Sequence, residues 1–161
     1  MVPLTRTFQV SIVKHYKISN LPYWQRKQYS SNSYRYALSM MYAAMLGTYL
    51  DLLFTGLQFY SFPERPFSAV FQIHIVFTLV ILPFLSFFFL YVGKSLKRSG
   101  RVLEIIFLAA AGPVLEMVAE SYGLFLHTNE WKHWYSFAGY FLFWSSVWFI
   151  FRWTNGDKAI K

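Results

Sequence analysis

Residues Val102–Leu126 read VLEIIFLAAAGPVLEMVAESYGLFL. The charges in that stretch are Glu104, Glu116 and Glu120, with no Lys or Arg, and nearly every other side chain is apolar or small. A helix needs roughly 20 mostly apolar residues to cross a bilayer, and this run supplies them. Working outward, Tyr36–Tyr60, Phe67–Tyr91 and Trp134–Phe151 have the same character. The connections 61–66, 92–101 and 127–133 are short, so successive helices are predicted to pack antiparallel. The pattern predicts an all-α integral membrane bundle of four transmembrane helices over 36–152. Segment 1–35 precedes it and a tail, 153–161, follows.

Composition agrees. For a chain of 161 residues one compact unit is the natural expectation. It is 56% hydrophobic and 14% charged, whereas a soluble domain carries about 25% charged residues. Too few polar side chains are present to clothe a water-facing surface. Mean hydropathy is nonetheless only modestly positive, because hydropathy scales penalise the 12 Tyr and 6 Trp, residues that favour the membrane interface. The absence of cysteine rules out disulfides, thiolate metal sites and Cys nucleophiles. A cleavable signal peptide is not expected, since the first apolar stretch, Phe8–Val13, is short and interrupted by Gln9 and Ser11.

The net charge of +8 is unevenly placed. Residues 1–35 hold Arg6, Lys14, Lys17, Arg26, Lys27 and Arg35, and the second connection holds Lys94, Lys97, Arg98 and Arg101. Arg152, Lys158 and Lys161 follow the fourth helix, while the first and third connections have one basic residue each, Arg65 and Lys132. That is 13 against 2, and the excess of positive charge on the inner side places both termini in the cytoplasm. Such charge, at helix ends on one side, fits anionic lipid at the cytoplasmic face and excludes a nucleic-acid partner. Segment 1–35, which mixes Lys14, Tyr16, Lys17, Tyr23, Trp24, Arg26 and Lys27, reads as an interfacial segment on the inner leaflet.

Ionisable side chains at membrane depth cost about 2.5–3.5 kcal/mol on insertion scales, so they face the bundle interior and often have a function. Four stand out: Asp51, His74, Glu116 and Glu120. Thr48, Asp51, Thr55 and Gln58 make one polar stripe on the first helix. Glu116, Glu120, Gly123 and His127 share a face of the third, His74 and Thr78 pair on the second, and Ser136, Tyr140 and Trp144 line up on the fourth. At 1.5 Å per residue, Asp51 and Glu116 lie roughly 14–15 Å from the outer ends of their spans, and Glu120 and His74 roughly 9–10 Å. The expectation is a polar cleft opening outward, with His127, Glu130, Lys132 and His133 at its rim.

Three carboxylates in one cleft, with no Lys or Arg at that depth, hold protons, a metal ion or a cationic ligand. For a divalent metal the candidates are Asp51, His74 and Glu116, a His–carboxylate set that suits zinc, iron or manganese. No His-Glu-x-x-His pattern, nucleophile elbow or phosphate loop is present. Pro113, after Ala109-Ala110-Ala111-Gly112, introduces a kink or a broken helix just before Glu116.

On Asp51-Leu52-Leu53, His74, Glu116 with Gly123-Leu124 seven residues later, Trp131, Trp134, Ser136 and Arg152, the chain over 35–153 resembles a family of small uncharacterised integral membrane proteins found widely in spore-forming Bacillota. The resemblance implies a bacterial membrane bundle and no established activity. Two departures stand out: family members tend to begin with a further hydrophobic segment, and Glu120 stands where an apolar residue is expected. Three functions remain open. The cleft binds or transports a cation, a proton or a polar ligand, working as a homo-oligomer or in a larger membrane complex. Alternatively, the polar residues lock the helices of a structural subunit, or they serve a small metal-dependent enzyme acting on lipid.

Overall fold

A computed structural model describes the backbone of residues 23–154 and the side chains of 33–154. The basic, aromatic stretch before residue 23 and the tail beyond Thr154 lie outside the described residues, and with them most of the interfacial segment expected over 1–35. Among the described residues are four helices: α1 (Tyr23–Gly56), α2 (Phe77–Ser95), α3 (Arg98–Ser121) and α4 (His133–Thr154). Three are long and apolar enough to cross a membrane, over Ser33–Gly56, Phe77–Ser95 and Arg98–Ser121. α4 has 22 residues, about 33 Å at 1.5 Å per residue, but its Trp, Tyr and Ser content leaves it less apolar than the others.

The buried face of α4 organises the core. Phe143, Trp144, Val147, Trp148 and Phe151 recur at helical spacing and are all buried. They pack with Phe89 and Leu90 of α2, Ile105 of α3 and Ala43 of α1. Large apolar side chains also cover the outside of every helix, among them Met45, Phe88, Phe107 and Phe149. Water would penalise so continuous an apolar surface, and lipid tails solvate it.

α3 and α4 approach closely because Gly112 lacks a side chain. A Cβ there would overlap the Tyr140 ring, so the small residue lets two backbones converge as they do between membrane helices. α3 runs unbroken through Pro113. In α2 the effect of proline is visible: Pro83 cannot donate a backbone hydrogen bond, and the turn before it, Phe77–Ile81, is widened to π geometry.

The helix ends differ from the apolar runs in an informative way. α1 stops at Gly56 rather than Tyr60, and α3 at Ser121 rather than Leu126. Gly123, at φ +70°, closes α3. Its N–H donates to the Glu120 carbonyl at 2.9 Å, and Leu124 N–H donates to Ala119 at 2.9 Å, the paired bonds that end a helix in a left-handed residue. The chain then doubles back as β2 (Leu126–His127), antiparallel to β1 (Tyr60–Ser61), with Tyr60 opposite His127. Thr128 N–H continues the pairing to the Phe59 carbonyl at 3.0 Å. Between β1 and α2 the apolar stretch from Phe67 is loop and not helix. Phe67 itself has φ 57°, and the Arg65 guanidinium holds the loop by donating to the Phe62 and Phe71 carbonyls at 2.5 and 2.6 Å. The first and third connections are therefore clipped together over one end of the bundle.

Candidate carboxylate and histidine site

Beneath that clip, Asp51 and Glu116 lie at matching depth. Each sits five residues before the last residue of its helix, Gly56 or Ser121, which is about 7.5 Å along the axis. This is shallower than the apolar runs imply, because both helices end early. The two carboxyls are near enough to interact electrostatically.

Hydroxyls serve as donors to both. Tyr60 Oη donates to Asp51 Oδ1 at 2.8 Å. Ser136 Oγ donates to Glu116 Oε2 at 2.5 Å, and Tyr140 Oη to Glu116 Oε1 at 3.0 Å. Trp131 Nε1 donates to Ser136 Oγ at 2.9 Å, so Ser136 is held from both sides. Ser136 and Tyr140 are four apart on α4 and face α3 together. Their hydrogen bonds fix both oxygens of Glu116. Hydroxyls bond a carboxyl whether it is charged or neutral, so the set orients the two acids without supplying a countercharge.

The imidazoles come from the clip. His127 Nδ1 abuts Glu120 Oε1 without the geometry of a hydrogen bond. The His127 and His133 rings lie 5.1 Å apart. Glu120, His127 and His133 each offer one ligand atom, all within 4.8 Å of one another, and all three residues are half-buried. Both histidines interact electrostatically with Glu116. Helical spacing put His127 on the face of Glu120 as a rim residue. The structure brings the two together by a different route, through the Gly123 reversal and the β1–β2 register.

Aromatic rings roof the site. Trp131 packs at 5.2 Å from Phe54, 5.7 Å from Phe59 and 5.7 Å from Tyr60, and Phe125 lies 5.1 Å from Tyr60. These ring contacts hold Tyr60 and Trp131 in donor position and cover the acids from the side of the connections.

His74 has a different task. It lies just ahead of α2, where the Phe77 N–H is shared between the His74 carbonyl at 2.9 Å and the His74 Nδ1 at 3.1 Å, the second a side-chain bond of the capping kind. Among the described residues, the group with metal-ligand geometry is Glu120, His127 and His133, and Asp51 and Glu116 interact electrostatically. Tyr60 and Trp131 carried no signal as site residues, since aromatic residues near helix ends read as an interface belt. Ser136 and Tyr140 were visible as a polar stripe. No family model matches the chain, and no curated protein or solved structure matches it.

Proposed function

We propose that the protein is a multi-pass protein of the cell membrane that binds a cation or a proton at the outer end of its bundle. In this reading α4 is the fourth span, both termini are cytoplasmic, and anionic lipid lies against the basic side. The 13-to-2 division of Lys and Arg supports the orientation. The resemblance to small Bacillota membrane proteins supports a bacterial setting, and a homo-oligomer or larger complex would suit so small a bundle.

The observation that carries the reading is two carboxyls on separate helices, Asp51 and Glu116, that interact electrostatically and have hydroxyls as their donors. Two neighbouring carboxyls in an apolar setting repel when both are charged, and a shared proton or a bound cation relieves that repulsion. A position near the helix ends gives an ion a short path from water. The competing reading is a structural lock, in which Ser136 and Tyr140 tie α4 to Glu116 and no ligand enters.

The test is cation-dependent thermal stability of the purified protein in detergent, wild type beside Asp51→Asn and Glu116→Gln. Binding at this pair expects added magnesium or calcium, which prefer all-oxygen shells, or a change of pH to shift the Tm of wild type more than that of either variant. A wild-type Tm indifferent to cation and to pH would favour the structural lock.

A further inference from the structure

We propose that Glu120, His127 and His133 form a three-ligand site for a divalent transition-metal ion, with zinc the best match. The inference deepens the cation-binding reading and rests on it for the aqueous access of this end of the bundle. It assigns the ion to different side chains from the Asp51–Glu116 pair.

The three ligands come from three elements: Glu120 from the last turn of α3, His127 from β2 and His133 from the start of α4. Their donor atoms fall within 4.8 Å of one another. A tetrahedral zinc ion with bonds of about 2.0–2.1 Å holds its ligand atoms about 3.3 Å apart, so small side-chain rotations close the group around an ion. The convergence is built into the backbone. The Gly123 reversal returns the chain toward α3, the Tyr60–His127 register fixes where it passes, and the Lys132 carbonyl accepts Tyr135 N–H at 2.7 Å as α4 begins.

Hydrogen bonding points the same way. The Nδ1 atoms of His127 and His133 are buried and make no hydrogen bond. Buried polar atoms are generally paired; His127 Nδ1 lies against Glu120 Oε1, and a metal ion shared by the three residues would give His133 the partner it lacks. The other described imidazole, that of His74, has its Nδ1 on the Phe77 N–H and stands outside this group.

The donor set selects the metal class. Two neutral imidazoles and one carboxylate suit zinc, and the same set suits iron(II), whereas magnesium and calcium prefer all-oxygen shells. Three protein ligands leave a coordination position open, the arrangement of exchangeable or catalytic rather than purely structural sites. Glu116 interacts electrostatically with both imidazoles, and Glu120 supplies the carboxylate of the donor set. An occupied site would also clamp α3, β2 and the start of α4.

The experiment is zinc titration of the chelator-stripped, full-length protein in detergent, with elemental analysis after desalting. The panel is wild type, Glu120→Gln, His127→Ala, His133→Ala, Asp51→Asn and His74→Ala. One zinc per chain is expected in wild type, Asp51→Asn and His74→Ala. Each ligand variant should bind at least tenfold more weakly, since losing even an outer partner of a metal ligand costs about 10–100-fold. Cobalt(II) added to wild type should give the intense visible bands of a four-coordinate ion, a readout that stands even where a variant fails to fold. Zinc bound equally by wild type and both histidine variants would overturn the site. If that zinc were lost in Asp51→Asn, the cation reading would survive on the carboxyl pair. Zinc lost in the histidine variants and kept in Asp51→Asn is the outcome this site predicts, and the carboxyl pair's own cation or proton is read separately from the magnesium, calcium and pH dependence of the Tm.

Discussion

The two ends of the bundle both bury charge, and they meet it with different kinds of partner. At the end formed by the α2–α3 turn and the close of α4, Arg101 is 7% exposed. Its Nε donates to the Gly93 carbonyl at 3.1 Å and its Nη2 to the Leu96 carbonyl at 2.9 Å. Its guanidinium lies 4.0 Å from the centre of the Trp148 ring, and Glu104 supplies countercharge. The carbonyls at the end of α2 need donors, and Arg101 provides them from the first turn of α3. All the partners are fixed parts of the protein, so this end is a joint.

At the other end lie Asp51, Glu64, Glu116, Glu120 and Glu130, five of the seven acids, with three of the four histidines. There the acids meet hydroxyls and imidazoles, with Glu120 against His127, while His133 Nδ1 makes no hydrogen bond. The Glu104 Oε2 beside the Arg101 joint makes no hydrogen bond of its own either. The two ends therefore differ in the kind of partner and not in full satisfaction: backbone carbonyls and an aromatic ring at the basic end, hydroxyls and imidazoles at the acidic one.

The contrast depends on α3 and α4 holding their separation, and the largest expected effect comes from disturbing it. Gly112→Val forces a side chain into the Tyr140 ring and should cost about 3 kcal/mol, the upper range for overpacking. Unfolding in mixed micelles measures it. The same variant should lose cation-dependent stabilisation, because Tyr140 and Ser136 would withdraw from Glu116. Gly139→Ala, where a Cβ meets nothing within 4 Å, should stay within about 0.5 kcal/mol of wild type. Equal stability of the two variants would mean that α3 and α4 are not in this register.

Arg101→Met tests the joint directly. It removes two hydrogen bonds from a charged donor and leaves the Gly93 carbonyl with only the 3.3 Å bond from Leu96 N–H, a loss of about 2 kcal/mol. The milder change Arg101→Lys should recover less than half, since an ammonium cannot fork to two carbonyls while stacking on Trp148. Zinc affinity should not move in either variant. A tenfold change would join the two ends functionally and break the comparison.

At the acidic end, Tyr60→Phe and Tyr140→Phe each remove one hydroxyl from a carboxyl and should each cost about 1 kcal/mol. Tyr140→Phe should lower stability without cation more than Tyr60→Phe does, because the Tyr140 bond also ties α4 to α3. The reverse order would place the mechanical role on the clip.

How much of this was legible in the sequence depends on how far each signal reaches along the chain. A long apolar run announces a helix locally, so the four helices could be read from Val102–Leu126 and its counterparts. Asp51 and Glu116 were conspicuous for the same reason, as single acids in apolar surroundings. The ends of the runs misled, because hydropathy does not sense the turn at Gly123 or the Phe67 backbone, and Phe67–Ile73 is as apolar as a helix. The partnership of Glu120 with His127 and His133 depends on a two-residue pairing between β1 and β2. Strands that short leave no periodic pattern, and their partners are more than sixty residues apart. Tyr60 reaches Asp51 only because α1 stops at Gly56 and the chain turns at Gln58, whose φ is 59°.

His74 gives the smallest and most discriminating prediction. As an isolated histidine in an apolar stretch it ranked beside Asp51 and Glu116, yet its Nδ1 is committed to Phe77 N–H. A cap is replaceable by any short side chain with an acceptor oxygen, whereas a metal ligand is not. His74→Ala should therefore cost about 1 kcal/mol of stability, and His74→Asn should recover most of it, since Asn ranks among the best capping residues. Both variants should bind zinc as wild type does. If His74→Asn instead abolished zinc binding while restoring stability, the imidazole itself would be required. His74 would then belong with the acidic end as a ligand and not with α2 as its cap.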